Sequence, residues 1–399
     1  MKSSEGSITT PFYGESIYHE LIPEVLAELD DSRAYWPSSP YGGNDANDPE
    51  IGDRHNWQVW HGSVYPRKHG EVPVIDYSIQ GVTFKNYKQD YTLFSSEFGM
   101  HASANRYTLE KHIPAGQFYW GSPEMAYRNK DTNHLKGILL MEGFTGIPRD
   151  IEEYMNFSML TQAEGLKYGI EHYRRNKART SGSLIWQHND SWPGTSWSMI
   201  DYELLPKASW YYAKAFYHPN LISLEHEPGE PLAVWAVNDR LEPWQGPVIL
   251  TVYDFYGNMH FRHTFQAEVP ANGAVCLGSL PEVQALNGCS AEEAVVVLEA
   301  QGWDAPVNMY YLRDHKDLRL PKGTMTVECD PREQTVTVTA GSALLRMVKL
   351  ELPEGSLRFS DNYFDLLPGT WRKIAIDNRR GKPVSLNGLQ VSALNSREE

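Results

Sequence analysis

The change of texture near residue 215 constrains the fold of this chain more than any other feature. Up to that point short apolar runs alternate with helical patterns, the signature of parallel strands joined by crossover helices. Beyond it, runs rich in Val, Leu and Thr are broken by Pro, Gly and Asn, as in "PLAVWAVNDR", "GPVILTVYDFYGN" and "QTVTVTAGSALLRMVKLEL". That pattern reads as all-β. With 399 residues the chain exceeds what a single core organises. The acidic, proline-bearing turn "RDHKDLRLPKGT" divides the all-β part into two lengths, each suited to one immunoglobulin-like sandwich. The expected modules are therefore an α/β unit over 1–215 and two β-sandwiches over 216–315 and 316–399.

Four strands are predicted in the first module: "RAYWPSS", "HNWQVWHG", "YTLFSSEFG" and "GSLIWQHND". Ahead of them, "GESIYHELIPEVLAELD" reads as a helix with Ile17, Leu21, Val25 and Leu26 on one face. The clearest helix is 150–178, where Ile151, Met155, Met159, Ala163 and Leu166 recur at helical spacing behind Pro148 and Asp150.

Composition narrows the function. A net charge of −15 with no basic block argues against nucleic acid. No run approaches the roughly 20 apolar residues of a membrane span, and the N-terminal stretch lacks the apolar core of a signal peptide. A cytoplasmic setting is expected, and the three scattered cysteines, Cys276, Cys289 and Cys329, are expected to be free thiols. No His pair has metal-site spacing with a carboxylate partner, so neither metal nor cofactor is predicted. The chain is rich in rings, with 12 Trp and 23 Tyr. Flat aromatic faces suit both cores and the apolar face of a pyranose.

Two predicted strand ends carry the chemistry. Glu97 closes an apolar strand and is followed by a Phe-Gly turn, where a parallel barrel keeps its catalytic groups. Trp186 closes another strand and is followed by Gln187, His188, Asn189 and Asp190, so the indole is a floor for a sugar ring and Asn189 and Asp190 are partners for hydroxyls. Core packing for Trp186 and a turn or cap role for Asp190 are the competing readings. On "HNWQVWHG", strand alternation puts His55, Trp57 and Val59 on one face and Asn56, Gln58 and Trp60 on the other. Trp60, with His61 beside it, is the subsite candidate, and Trp57 is either a second substrate contact or barrel filling.

The stretches "ELDDSRAYWPSSPYGG", "GDRHNWQVWHG", "SSEFGM", "WQHNDSWPGTSWSMIDY" with "PKASWYYAKAFY", and "DNYFDLLPG" follow one another from about residue 14 to 370. In that order they resemble the β-mannosidase branch of glycoside hydrolase family 2. The resemblance implies a retaining exo-hydrolase that removes terminal β-D-mannose from a glycoside or oligosaccharide. Glu97 matches its nucleophile. The four strands would be the fifth to eighth of a (β/α)8 TIM barrel, followed by two sandwiches. Retention requires a second carboxyl group about 5 to 5.5 Å away as acid and base. In the resembling enzymes that glutamate follows Asn after the fourth strand, upstream of "GESIYHELIPEVL", so it is expected to be missing here. Glu5, in "SSEGS", is the only carboxylate ahead of Glu15. Half a barrel also exposes strand edges and an apolar wall, which calls for an upstream segment or a second chain. Other family 2 activities, such as exo-β-glucosaminidase or β-galactosidase, and an inactive sugar- or partner-binding remnant are the alternatives.

Overall fold

The computed structural model describes residues 13–41, 47–63, 72, 74–353, 357–378 and 384–396, together with two short paired strands at Lys2–Ser3 and Gly6–Ser7. Glu5 lies outside the described residues. Three parallel segments organise the first part. Strand Arg54–His55 pairs with Ser95–Glu97 in parallel register, His55 opposite Glu97. On the other side, Ser95 N donates to Gly182 O (3.0 Å), Leu184 N to Ser95 O (2.7 Å) and Trp186 N to Phe98 O (2.9 Å). Ser95–Glu97 is thus the middle of a three-segment parallel set.

Helix Ile151–Arg175 backs this set. Asp150 caps it by accepting from Glu153 N, Glu152 and Glu153 occupy its first turn, and His172, Arg174 and Arg175 its last, all matched to the helix dipole. Its inner face joins Val59, Trp60, Phe84, Tyr87, Phe98 and Met100 in one apolar cluster. Removing that area from water is the principal stabilising term.

Two predicted strands differ from what forms, and a third, "GSLIWQHND", makes only isolated bridges, the parallel one of Ser183 with Ser95 among them. "RAYWPSS" carries no strand, because Pro37 and Pro40 remove two backbone donors within four residues. "HNWQVWHG" is a strand for two residues only and then turns into helix Gln58–His61, so the alternation of faces assigned to it does not hold. Gly62 ends that helix at φ 63°, and a Cβ there would stand 2.2 Å from Asp76 O, so only glycine fits. The N-terminal helical segment does form, as Ile17–Leu21 followed by Ile22–Leu29, but none of its residues is buried. Ile17, Leu21, Val25 and Leu26, which form its apolar face, are all exposed.

After helix Ala208–Phe216 come two β-sandwiches. The first pairs a sheet of Asn220–Glu225, Leu232–Asn238 and Gly273–Leu280 with one ordered Asn308–Tyr311, Ala294–Ala300, Trp244–Asp254 and Met259–Val269. The second pairs Met325–Asp330, Thr335–Ala340, Trp371–Asn378 and Leu357–Phe359 with Phe364–Leu366, Leu345–Glu351 and Gln390–Ser392. Each has its own apolar core. The ties between the first part and the last sandwich combine an apolar cluster, in which Met159, Leu160 and Tyr211 meet Met347 and Tyr363, with buried polar contacts. Arg346 reaches Glu164 and Asp365 at 2.5 Å each, Lys349 reaches Glu152 at 2.9 Å, and Tyr363 donates to Asn105 Oδ1 at 3.0 Å. Cys276, Cys289 and Cys329 are free thiols. Among the described residues no helix is long and apolar enough to cross a membrane.

Candidate active site

Glu97 stands where the middle parallel strand ends, with its side chain 24% exposed. The carboxylate is held from the neighbouring strand. Trp57 Nε1 donates to Oε2 at 3.0 Å, and His55 Nδ1 lies 3.4 Å from the same oxygen. His55 Nε2 is in turn 3.0 Å from Ser39 Oγ, and Ser39 and Ser96 both donate to Asp53. The oxygen that contacts Trp57 is therefore fixed in direction through a chain of neighbours. Gly99 explains the turn that follows. A Cβ at this position would come 2.1 Å from Trp186 O, so the absence of a side chain lets the two strand ends approach.

Trp186 is 40% exposed and meets Trp57 edge-on, ring centroids 6.5 Å apart. Together with Glu97 these indoles form an open, ring-walled surface with one carboxylate. Asn189 is exposed on the loop after Trp186. Asp190 is not. It is 6% exposed, with Lys130 Nζ at 2.5 Å, the amides of Ser191 and Trp192 at 2.8 and 3.1 Å, and the hydroxyls of Ser196 and Ser198 donating to Oδ2. Burial favours its protonated form, but the Lys130 and Ser196 bonds outweigh this and hold its pKa below the usual carboxylate value. Its oxygens are used by the loop itself, which is the turn role.

Trp60 is the clearest correction. The helical turn at Gln58–His61 swings it into the core, where it is 2% exposed, donates from Nε1 to Asp131 Oδ2 at 2.7 Å and packs 4.6 Å from His101. Trp57, not Trp60, is the indole at Glu97. His61 is half-buried with Nδ1 2.9 Å from Lys136 Nζ, and burial, reinforced by that ammonium, pushes its pKa down. His55 and Trp197 escaped the sequence reading as site residues. Trp197 packs 5.7 Å from Trp57 and 6.0 Å from Trp60. The opposition of His55 to Glu97 was available only from the register, which no sequence period sets for so short a strand. No cluster of three or more metal-ligating side chains able to hold an ion occurs among the described residues.

Two family descriptions match the sandwiches: a Mannosidase Ig/CBM-like domain over residues 230–317 and an Ig-fold domain over residues 318–396. Among curated relatives, β-mannosidase B of Thermothelomyces thermophilus is 26% identical over 92% of this chain and 45% of its own length. That of Neosartorya fischeri is 28% identical over 94% and 45%. The β-D-mannosidase crystal structure from Dictyoglomus thermophilum superposes with TM-score 0.79 and 33% identity, covering 97% of this chain and 45% of that one. The exo-chitosanase CsxA of Amycolatopsis orientalis shares the fold, with TM-score 0.60 and 19% identity over 76% of this chain and 42% of the other. The chain thus spans about 45% of the length of the curated relatives it matches. It carries two immunoglobulin-type modules of the mannosidase kind behind a ring-walled carboxylate and, over nearly all its length, is similar to the C-terminal portion of β-mannosidases.

Proposed function

We propose that this chain is the nucleophile-bearing half of a retaining exo-β-mannosidase that releases terminal β-D-mannose. The single observation that supports this most is the setting of Glu97: a carboxylate at the end of the middle parallel strand, oriented by an indole N–H at 3.0 Å and flanked by the half-open Trp186. In this reading the three parallel segments are the sixth to eighth strands of a (β/α)8 barrel, and the module division is 1–215, 216–315 and 316–399. Trp57 and Trp186 stack on the mannose ring, and Asn189 contacts its hydroxyls. A Glu97 oxygen attacks the anomeric carbon and forms a glycosyl ester. The aglycone oxygen leaves with a proton from a second carboxyl group, which then deprotonates the water that cleaves the ester. That second group, with the remaining strands, comes from an upstream segment or a partner chain. The sandwiches buttress the barrel. A cytoplasmic location is part of the same reading, supported by three free thiols.

A 2-fluoro-mannosyl inactivator, which arrests the ester, should label the peptide carrying Glu97 in the whole protein, and Glu97→Gln should abolish the label. With an uninhibited substrate the same variant should lose about 10³-fold or more in kcat. Labelling that persists in Glu97→Gln would overturn the assignment. Comparing kcat/KM across β-mannoside, β-glucosaminide and β-galactoside substrates tests the sugar. Mannose binding without turnover would favour a binding module.

A further inference from the structure

A second hollow lies behind the ring layer of the candidate active site. Its cavity is about 150 Å³, and its walls are supplied by the segment that follows Glu97, by helices Leu135–Phe144 and Ile151–Arg175, and by Thr195. None of the groups that touch Glu97 lines it. A space of this size takes one six-membered ring. One side is apolar and aromatic: Met125, Leu140 and Met141 are buried, while half-buried Trp120 stacks on Tyr154 at 6.3 Å and 21° near the mouth. The other side presents hydrogen-bonding groups, His101, Asn129, His134 and Thr195. The lining holds no Asp, Glu, Lys or Arg.

Most of the buried polar atoms here are already occupied. The Thr195 and Tyr154 hydroxyls bond each other at 2.7 Å, and Thr161 bonds Thr145 at 3.2 Å. His101 is different. It is 6% exposed, and its Nε2 has no hydrogen-bond partner. An orphaned buried nitrogen costs stability unless something reaches it. His101 is wedged between Trp60 at 4.6 Å and Trp197 at 4.0 Å, so it cannot turn away to find a partner without displacing both indoles. Burial also pushes its pKa well below the ordinary value, which keeps the imidazole neutral.

We propose that this hollow is a second binding site for one uncharged, hydroxyl-bearing ring of hexopyranose size, with His101 Nε2 as its buried polar anchor and Trp120 as its stacking face. The lining itself offers a carboxylate or ammonium ligand no Asp, Glu, Lys or Arg to pair with, which favours an uncharged one. A hydroxyl suits a neutral imidazole in either tautomer, because it both donates and accepts.

Met125 and Met141 make the test direct. The full-length protein carrying methyl-labelled methionine would be titrated with D-mannose and followed by methyl NMR. The signals of both residues should shift saturably, with a Kd on the order of a millimolar. His101→Leu should weaken the response at least tenfold with the other methionine signals unchanged. Trp120→Ala provides a second variant that leaves the buried anchor intact and should also weaken it. Glu97→Gln should bind with unchanged affinity, which separates this site from the proposed catalytic one. Unmoved Met125 and Met141 signals at tens of millimolar sugar would mean that the hollow holds only water and would overturn the proposal. So would shifts that survive both pocket variants, or shifts lost in Glu97→Gln.

Discussion

The first sandwich and the N-terminal helix carry comparable apolar patterns and meet opposite fates. In the sandwich, Val248, Leu250, Val252, Val296 and Leu298 are fully buried between two sheets. In the helix, Ile17, Leu21 and Val25 are 47%, 54% and 42% exposed. Periodicity is equally clear in both. The difference is whether a complementary surface exists within the described residues. A sandwich is closed by its own hairpins, whereas a crossover helix depends on the sheet it wraps, and among the described residues that sheet consists of three parallel segments around Ser95–Glu97. Apolar surface left open in this way marks a contact with something else.

Substitutions can break or sharpen that contrast. The largest effect on stability is expected at Arg346, which joins Glu164 on the long helix to Asp365 on the last sandwich and lies 4.3 Å over the Tyr311 ring. Arg346→Met strands two carboxylates and should cost about 3–5 kcal/mol in denaturant unfolding. Loss of well under 1 kcal/mol would mean that the modules are held together by their apolar contacts alone. Leu250→Ala should cost about 2–5 kcal/mol, because its neighbours in the sheet interior cannot collapse onto the void.

The pH response should fall in different windows in the two regions, with stability rising with pH in both. Arg313, His226 and the Gly229 amide hold Glu282 of the first sandwich ionised down to about 2 despite the opposing effect of burial. Its contribution is complete above about pH 4.5 and should be lost as pH falls towards 2. Lys207, buried with its ammonium on the Ala102 and Ser196 carbonyls, has its pKa lowered by burial to about 8. The folded state therefore releases this proton before the unfolded state does, and stability should rise between about pH 8 and 10.5. Glu282→Gln should flatten the acid limb of a Tm-against-pH profile, and Lys207→Met the alkaline one. The smallest effect is expected at the exposed helix, where Leu21→Ala should change the stability of this chain by less than about 0.5 kcal/mol. A cost of about 2 kcal/mol or more in a longer protein would show that this face is covered there.

The amino-acid sequence by itself was enough to divide the chain into an α/β part and two all-β lengths, to identify helix Ile151–Arg175 with its Asp150 cap, and to place Glu97 at the end of a strand. These rest on signals local in the chain: periodicity, turn residues and a carboxylate beside an apolar run. Only the tertiary structure decided which indole meets Glu97, that Trp60 and Asp190 are turned inward, and that His55 faces the carboxylate. A strand that becomes a helix after two residues rotates every later side chain, and a short register is set by neighbours far away in sequence. Such outcomes depend on packing between segments, which no local pattern encodes.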